Sequence, residues 1–81
     1  MNFAPPALGP SAPRVGVVGA GQLARMMQPA AIALGLRLRV LSADPQDCAN
    51  QVIPDVVSGH PSDVRAVLDF ARGCEGMTRL V

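Results

Sequence analysis

Aromatic residues are nearly missing from this chain: two Phe, no Tyr and no Trp in 81 residues. A core must therefore come from Val, Leu, Ile, Met and Ala, and no platform exists for stacking bases or sugars. Lysine is absent too, so every basic residue is Arg, and seven basic residues face six acidic ones for a net charge of +1. No basic stripe forms, which argues against a nucleic-acid partner. No apolar run approaches the roughly 20 residues of a membrane span. The first residues have neither a basic start nor a continuous apolar stretch, so they do not read as a signal peptide. Cys48 and Cys74 are the only cysteines. They form no CxxC and have no His at metal spacing, which suits two free thiols in a cytoplasmic protein.

What is present is a globular composition, 49% hydrophobic and 16% charged, with a mean hydropathy of +0.30. The length allows one domain, and a chain this short buries only about 60% of the surface it exposes when unfolded. Residues 1–13 hold Pro5, Pro6, Pro10 and Pro13 among Ala, Gly and Ser. Proline removes amide donors and fixes φ, so a disordered tail is expected there, with the ordered domain over residues 14–81.

The run Val15-Gly16-Val17-Val18 is short, β-branched and apolar on both faces, as an interior parallel strand requires. It breaks at Gly19-Ala20-Gly21. Leu23, Met26, Met27, Ala30, Ala31 and Leu34 then recur at helical spacing and predict a buried stripe, with Pro29 opposite it and Gly35 past the end. Leu36–Leu41 predicts a second strand, ending in a turn at Ser42-Ala43-Asp44-Pro45. Residues 46–51 suit a helical turn, and a short third strand is expected around Val56-Val57. Ser62 is the expected cap of a second helix, with Asp63 in its first turn and Val64, Val67, Leu68 and Ala71 buried. Gly73 stops that helix, and a fourth strand starts near Cys74. The pattern predicts an α/β, Rossmann-like fold. Its short, mostly parallel sheet has order 3-2-1-4, helices lie on both faces, and a crevice sits beside the turn after the first strand. Four strands and two helices leave sheet area bare, so self-association into a homo-oligomer is a further expectation.

Gly19-Ala20-Gly21-Gln22-Leu23-Ala24 is a GxGxxA strand-to-helix turn. Gly19 permits the tight turn, Gly21 lets a ligand near the backbone, and Ala24 lets helix and strand close up. The helix start offers amides and a positive dipole end to an anionic or polar ligand. A dinucleotide site also wants an acid ending the second strand. Ser42 stands there instead, while Asp44, 20 residues after Ala24, keeps the spacing. A close-packed corner that binds nothing, a fragment of an NAD(P)-dependent oxidoreductase and a non-catalytic interaction module stay open at this point. His60 reads as an exposed loop residue, Met26 and Met27 as core filling, and Arg25 as solvated. No nucleophile–base pair or paired catalytic carboxylates can be read.

The string Gly-Ala-Gly-Gln-Leu-Ala-Arg-Met-Met at 19–27 is richer than a glycine fingerprint. Together with Ala30–Gly35, Arg39-Val40-Leu41, Asp44-Pro45, Ala49, Gln51-Val52, Asp55, Gly59, Asp63, Phe70-Ala71, Cys74 and Thr78, it resembles 5-(carboxyamino)imidazole ribonucleotide synthase over residues 14–78. The resemblance implies an ATP-grasp ligase of purine biosynthesis, which joins bicarbonate to aminoimidazole ribonucleotide at the expense of ATP, through carboxyphosphate. It implies that this segment is the pre-ATP-grasp domain and that ATP and Mg2+ belong to later domains, leaving no cofactor for this chain. By the same resemblance, and by a related formate-dependent transformylase that has Glu-Leu at these positions, Gln22 and Leu23 contact the ribonucleotide while Gly19 and Gly21 shape the turn. The end departs from the family pattern: Cys74-Glu75-Gly76-Met77-Thr78-Arg79 lacks the usual acidic cluster. A truncated or frame-shifted copy, or a cut domain, inactive alone and weak or lost in ribonucleotide binding, is the expectation.

Overall fold

The computed structural model describes residues 12–79. The chain runs β1 (Arg14–Val18), α1 (Gln22–Ala33), β2 (Arg37–Ser42), a 3-10 turn (Cys48–Gln51), β3 (Asp55–Ser58), α2 (Val64–Ala71) and β4 (Gly76–Arg79). All four strands are parallel, in the order β3-β2-β1-β4. This is the topology expected from the sequence, and the two helices take opposite faces.

The expected tail over residues 1–13 falls mostly on 1–11, outside the described residues. Its last two positions are docked. Ala12 is buried, and the Pro13 carbonyl accepts from the Arg37 amide at 2.8 Å.

The α1 face of the sheet carries the larger apolar cluster. Val17, Ala20, Ala24, Ala31, Leu38, Val40, Ala49 and Ile53 form one buried cluster, with Val15, Met27 and Leu36 against it. The buried side of α1 differs from the expected stripe. Ala24 and Ala31 face the sheet and Met27 packs at its margin, while Leu23 (61% exposed), Met26 (62%) and Leu34 (72%) point outward and Ala30 is exposed. The reason is steric: alanines let the helix axis close onto β1 and β2, and the long side chains beside them are turned away. Pro29 lies inside the helix on its exposed side, where its missing amide costs one bond without spoiling the packed face.

The other face is filled differently. Among the described residues, only Val18, Leu41 and Phe70 form its buried cluster, with Val57 and Val67 beside them. Phe70 reaches β1 because Gly16 has no side chain: a Cβ there would lie 2.8 Å from Phe70 Cε2, 2.7 Å from Cys74 Sγ and 2.5 Å from Met77 Sδ. Burial pushes the Cys74 thiol above its ordinary range, against the opposing pull of Arg39 and Arg14, and its S–H donates to the Phe70 carbonyl. In α2 the expected buried stripe is again corrected. Val67 and Ala71 are half-buried, but Val64 (70%) and Leu68 (59%) are exposed. One short helix cannot cover this face.

The cap of α2 is also one residue later than expected. Asp63, not Ser62, is the N-cap, and its Oδ1 accepts from the amides of Arg65 (3.0 Å) and Ala66 (3.2 Å). Ser62 instead serves the turn: its hydroxyl lies 2.6 Å from His60 Nδ1, and its amide donates to the same nitrogen. His60 is exposed, as expected for a loop.

Candidate ligand site at the glycine turn

The strand order reverses direction between β1 and β4, which places the crevice of such a sheet beside the carboxyl end of β1. The chain leaves β1 through Gly19 with φ 122°, in the region that only glycine enters readily, and the Gly19 amide donates to the Leu41 carbonyl at 3.1 Å. Gly19 therefore shapes the turn by necessity. Gly21 is different. A Cβ there would meet nothing within 4 Å, so no protein atom demands glycine and the backbone faces open space.

Gly21 is the N-cap of α1 and has no side chain to cap with, and the first turn carries no acidic residue. The leading amides of α1 and its positive dipole end thus have no side-chain acceptor from the cap. Gln22 and Leu23, the first two helical residues, are both exposed. Ala24 is fully buried and holds the helix against the strand, the close packing expected of the sixth motif position.

A neighbour that sequence reasoning missed buttresses this turn. The Ala49 amide donates to the Ala20 carbonyl at 3.0 Å, and Cys48 Sγ donates to Gln22 Oε1 at 3.6 Å. Arg25, expected to be solvated, donates to Gln51 Oε1 at 2.8 Å, and Gln28 Nε2 reaches the Val52 carbonyl at 3.2 Å. The 3-10 turn is thereby fastened along the first half of α1. With its Oε1 engaged by the thiol, the exposed Gln22 side chain retains its NH2 as a donor. The one sequence signal was the polar stretch after Asp44-Pro45, which suited a helical turn but did not reveal which side chains it would deliver.

The end of β2 is tied into its own loop. Ser42 is buried, and its hydroxyl lies 2.8 Å from both the Asp44 carbonyl and Asp47 Oδ2 while accepting from Asn50 Nδ2 at 3.0 Å. Asp44 Oδ1 accepts from the Gln46 amide at 2.9 Å, as a turn-forming Asp does. These groups complete a loop. Among the described residues, no group of three or more His, Cys, Asp or Glu could hold a metal ion. No helix among the described residues is long and apolar enough to cross a membrane.

Comparison with known proteins agrees with this geometry. The family model for the ribonucleotide synthetase preATP-grasp domain matches residues 13–79. The N5-carboxyaminoimidazole ribonucleotide synthase of Mycobacterium tuberculosis is 51% identical over 67 residues, covering 83% of this chain and 16% of the relative. Its counterpart from Corynebacterium ammoniagenes is 44% identical over 69 residues, or 85% of this chain and 17% of that protein. Among solved structures, the N5-carboxyaminoimidazole ribonucleotide synthetase from Thermus thermophilus superimposes with a TM-score of 0.73 at 41% identity, covering 82% of this chain and 18% of the other. The synthetase from Thermotoga maritima gives 0.77 at 28% identity, covering 85% and 19%. This chain thus spans about a sixth of the length of the curated relatives it matches. Its motif, its sheet order and these matches together show that the chain belongs to the ribonucleotide synthetase preATP-grasp domain family.

Proposed function

We propose that this chain is the ribonucleotide-side domain of an ATP-dependent ligase that carboxylates aminoimidazole ribonucleotide with bicarbonate, and that it is inactive alone. The observation that carries the reading is the uncapped start of α1 at Gly21, with exposed Gln22 and Leu23 beside open space. Helix amides and the Gln22 NH2 are donors, suited to ribose hydroxyl, phosphate or ring-nitrogen acceptors. Leu23 offers an apolar contact to a ring. ATP and Mg2+ fall to the domains that the relatives carry beyond this segment, so the residues here bind and orient substrate rather than transfer phosphate. The outward flanks of the helices, Leu23 and Met26 on α1 with Leu34 just past its end and Val64 and Leu68 on α2, are the apolar surfaces we assign to contact with those domains or, without them, to self-association.

The dinucleotide reading is not supported. The hydroxyl of Ser42 is engaged inside its own loop, and the Asp44 carboxylate already accepts an amide.

Gln22→Ala, placed in a full-length ligase that carries this segment, tests the proposal. Loss of one neutral hydrogen bond costs about 0.5–1.5 kcal/mol, so the KM for aminoimidazole ribonucleotide should rise roughly two- to thirteenfold. The KM for ATP should hold. An unchanged ribonucleotide KM in a folded variant removes the contact, and an equal rise for ATP indicates misassembled domains.

A further inference from the structure

Cys48 opens the 3-10 turn (Cys48–Gln51) beside the start of α1, and its neighbours fix where its side chain stands. On one flank, Asp47 Oδ2 lies 2.8 Å from Ser42 Oγ and ties the chain to the end of β2. On the other, the Ala49 amide donates to the Ala20 carbonyl at 3.0 Å, and Ala49 itself is fully buried. Asn50 Nδ2 donates to Ser42 Oγ at 3.0 Å, and Arg25 Nη1 donates to Gln51 Oε1 at 2.8 Å. The thiol is therefore carried on a braced piece of backbone.

Its partner is a group with two faces. A glutamine amide accepts through its oxygen and donates through its NH2, and half a turn about the last side-chain bond exchanges the two at nearly constant shape. What Gln22 offers a ligand is thus decided by what stands beside it. Cys48 Sγ donates to Gln22 Oε1 at 3.6 Å. Among the described residues neither side chain has another hydrogen-bond partner. The reverse orientation would set NH2 against sulfur, a weak acceptor, and leave the S–H without an acceptor in the protein.

This choice agrees with the rest of the turn. Gly21 gives α1 no side-chain cap, and no acidic residue lies in the first turn. The helix start therefore offers amide donors and a positive dipole end. With Oε1 taken by the thiol, Gln22 adds a donor to donors, and its side chain offers the ligand no competing acceptor.

We propose that Cys48 is the positioning residue of the glycine-turn site: its thiol holds the Gln22 amide with Oε1 to the sulfur and NH2 left for the ligand. The ribonucleotide then meets this turn through a hydrogen-bond acceptor, a phosphate or ribose oxygen or a ring nitrogen, and not through its amine. The inference rests on the ribonucleotide reading above. It adds a residue that acts on the substrate only through another.

The test is a double-mutant cycle in the same full-length ligase that carries this segment. Without the thiol both amide orientations are open, and the smaller competent fraction raises the KM for aminoimidazole ribonucleotide by roughly two- to fourfold in Cys48→Ala. The kcat and the KM for ATP should hold. Cys48→Ser keeps a donor beside an exposed, adaptable glutamine and should recover most of the loss. In a Gln22→Ala background, Cys48→Ala should add nothing, because the group it positions is gone. A rise that persists in that background marks general loosening of the turn and overturns the proposal. So does an unchanged ribonucleotide KM in a folded Cys48→Ala enzyme, or equal effects of Ser and Ala. If Gln22→Ala raises the ribonucleotide KM and Cys48→Ala does not, only the positioning role falls. If Gln22→Ala itself changes nothing, the Gln22 contact falls and the positioning role falls with it.

Discussion

The two faces of the sheet are built by different means. On the α1 side, a twelve-residue helix and the 3-10 turn close over the sheet, and eight of the described residues are buried in one apolar cluster. On the α2 side an eight-residue helix covers only the carboxyl half, where three residues are buried. The amino half of that side is occupied by Arg14, Arg39 and Asp55 in an ion cluster. The first face is a platform: it fixes the glycine turn from below through Ala24 and from the side through Ala49 and Cys48. The second face rests on very few contacts. The segment concentrates its packing beneath the glycine turn.

The contrast makes unequal stability predictions. Among the described residues Phe70 is the largest fully buried side chain, and it packs from α2 against Gly16 of β1. Phe70→Ala should cost about 3–5 kcal/mol, a large part of the stability of so small a domain. Ile53→Val on the α1 side removes one methyl from a crowded cluster and should cost only about 0.5–1.5 kcal/mol. Urea denaturation of both variants measures the gap. Equal losses would mean that the α2 side shares its load more widely than its few buried residues indicate.

A smaller effect sharpens the same comparison. Asp63→Ala removes the acceptor for the Arg65 and Ala66 amides and should cost about 0.5–2 kcal/mol. Because α2 adds little buried surface, the loss should emerge as fraying of that helix. Hydrogen exchange should accelerate at Arg65 and Ala66 while amides of α1 keep their protection. Uniform acceleration across both helices would show that the two faces unfold as one unit.

Much of this architecture was legible in the residues because the signals are local. A β-branched run, a glycine turn, a helical period and a second strand lie within thirty residues of one another, and right-handed connections leave few ways to order the strands. Gly19 was readable as a turn residue because its conformation admits little else. The buried side of α1 was not legible, since alanine gives a weaker hydrophobic signal than Leu23 or Met26 yet permits closer approach. Neither was the Cys48–Gln22 contact, which joins residues 26 positions apart through a turn whose geometry no period encodes. The Arg14–Asp55–Arg39 cluster depends on the register of three strands and emerges only once they are paired.

The central claim is that the glycine turn, on its rigid α1 platform, is where the ribonucleotide is held. The most direct measurement is an amide NMR titration of this chain with aminoimidazole ribonucleotide. Saturable shifts are predicted at Gly19, Gly21, Gln22 and Leu23, extending to Cys48 and Ala49 through their bonds to the turn, and none on α2. Shifts absent from the turn at saturating ligand, or centred on α2 and β4, would contradict it.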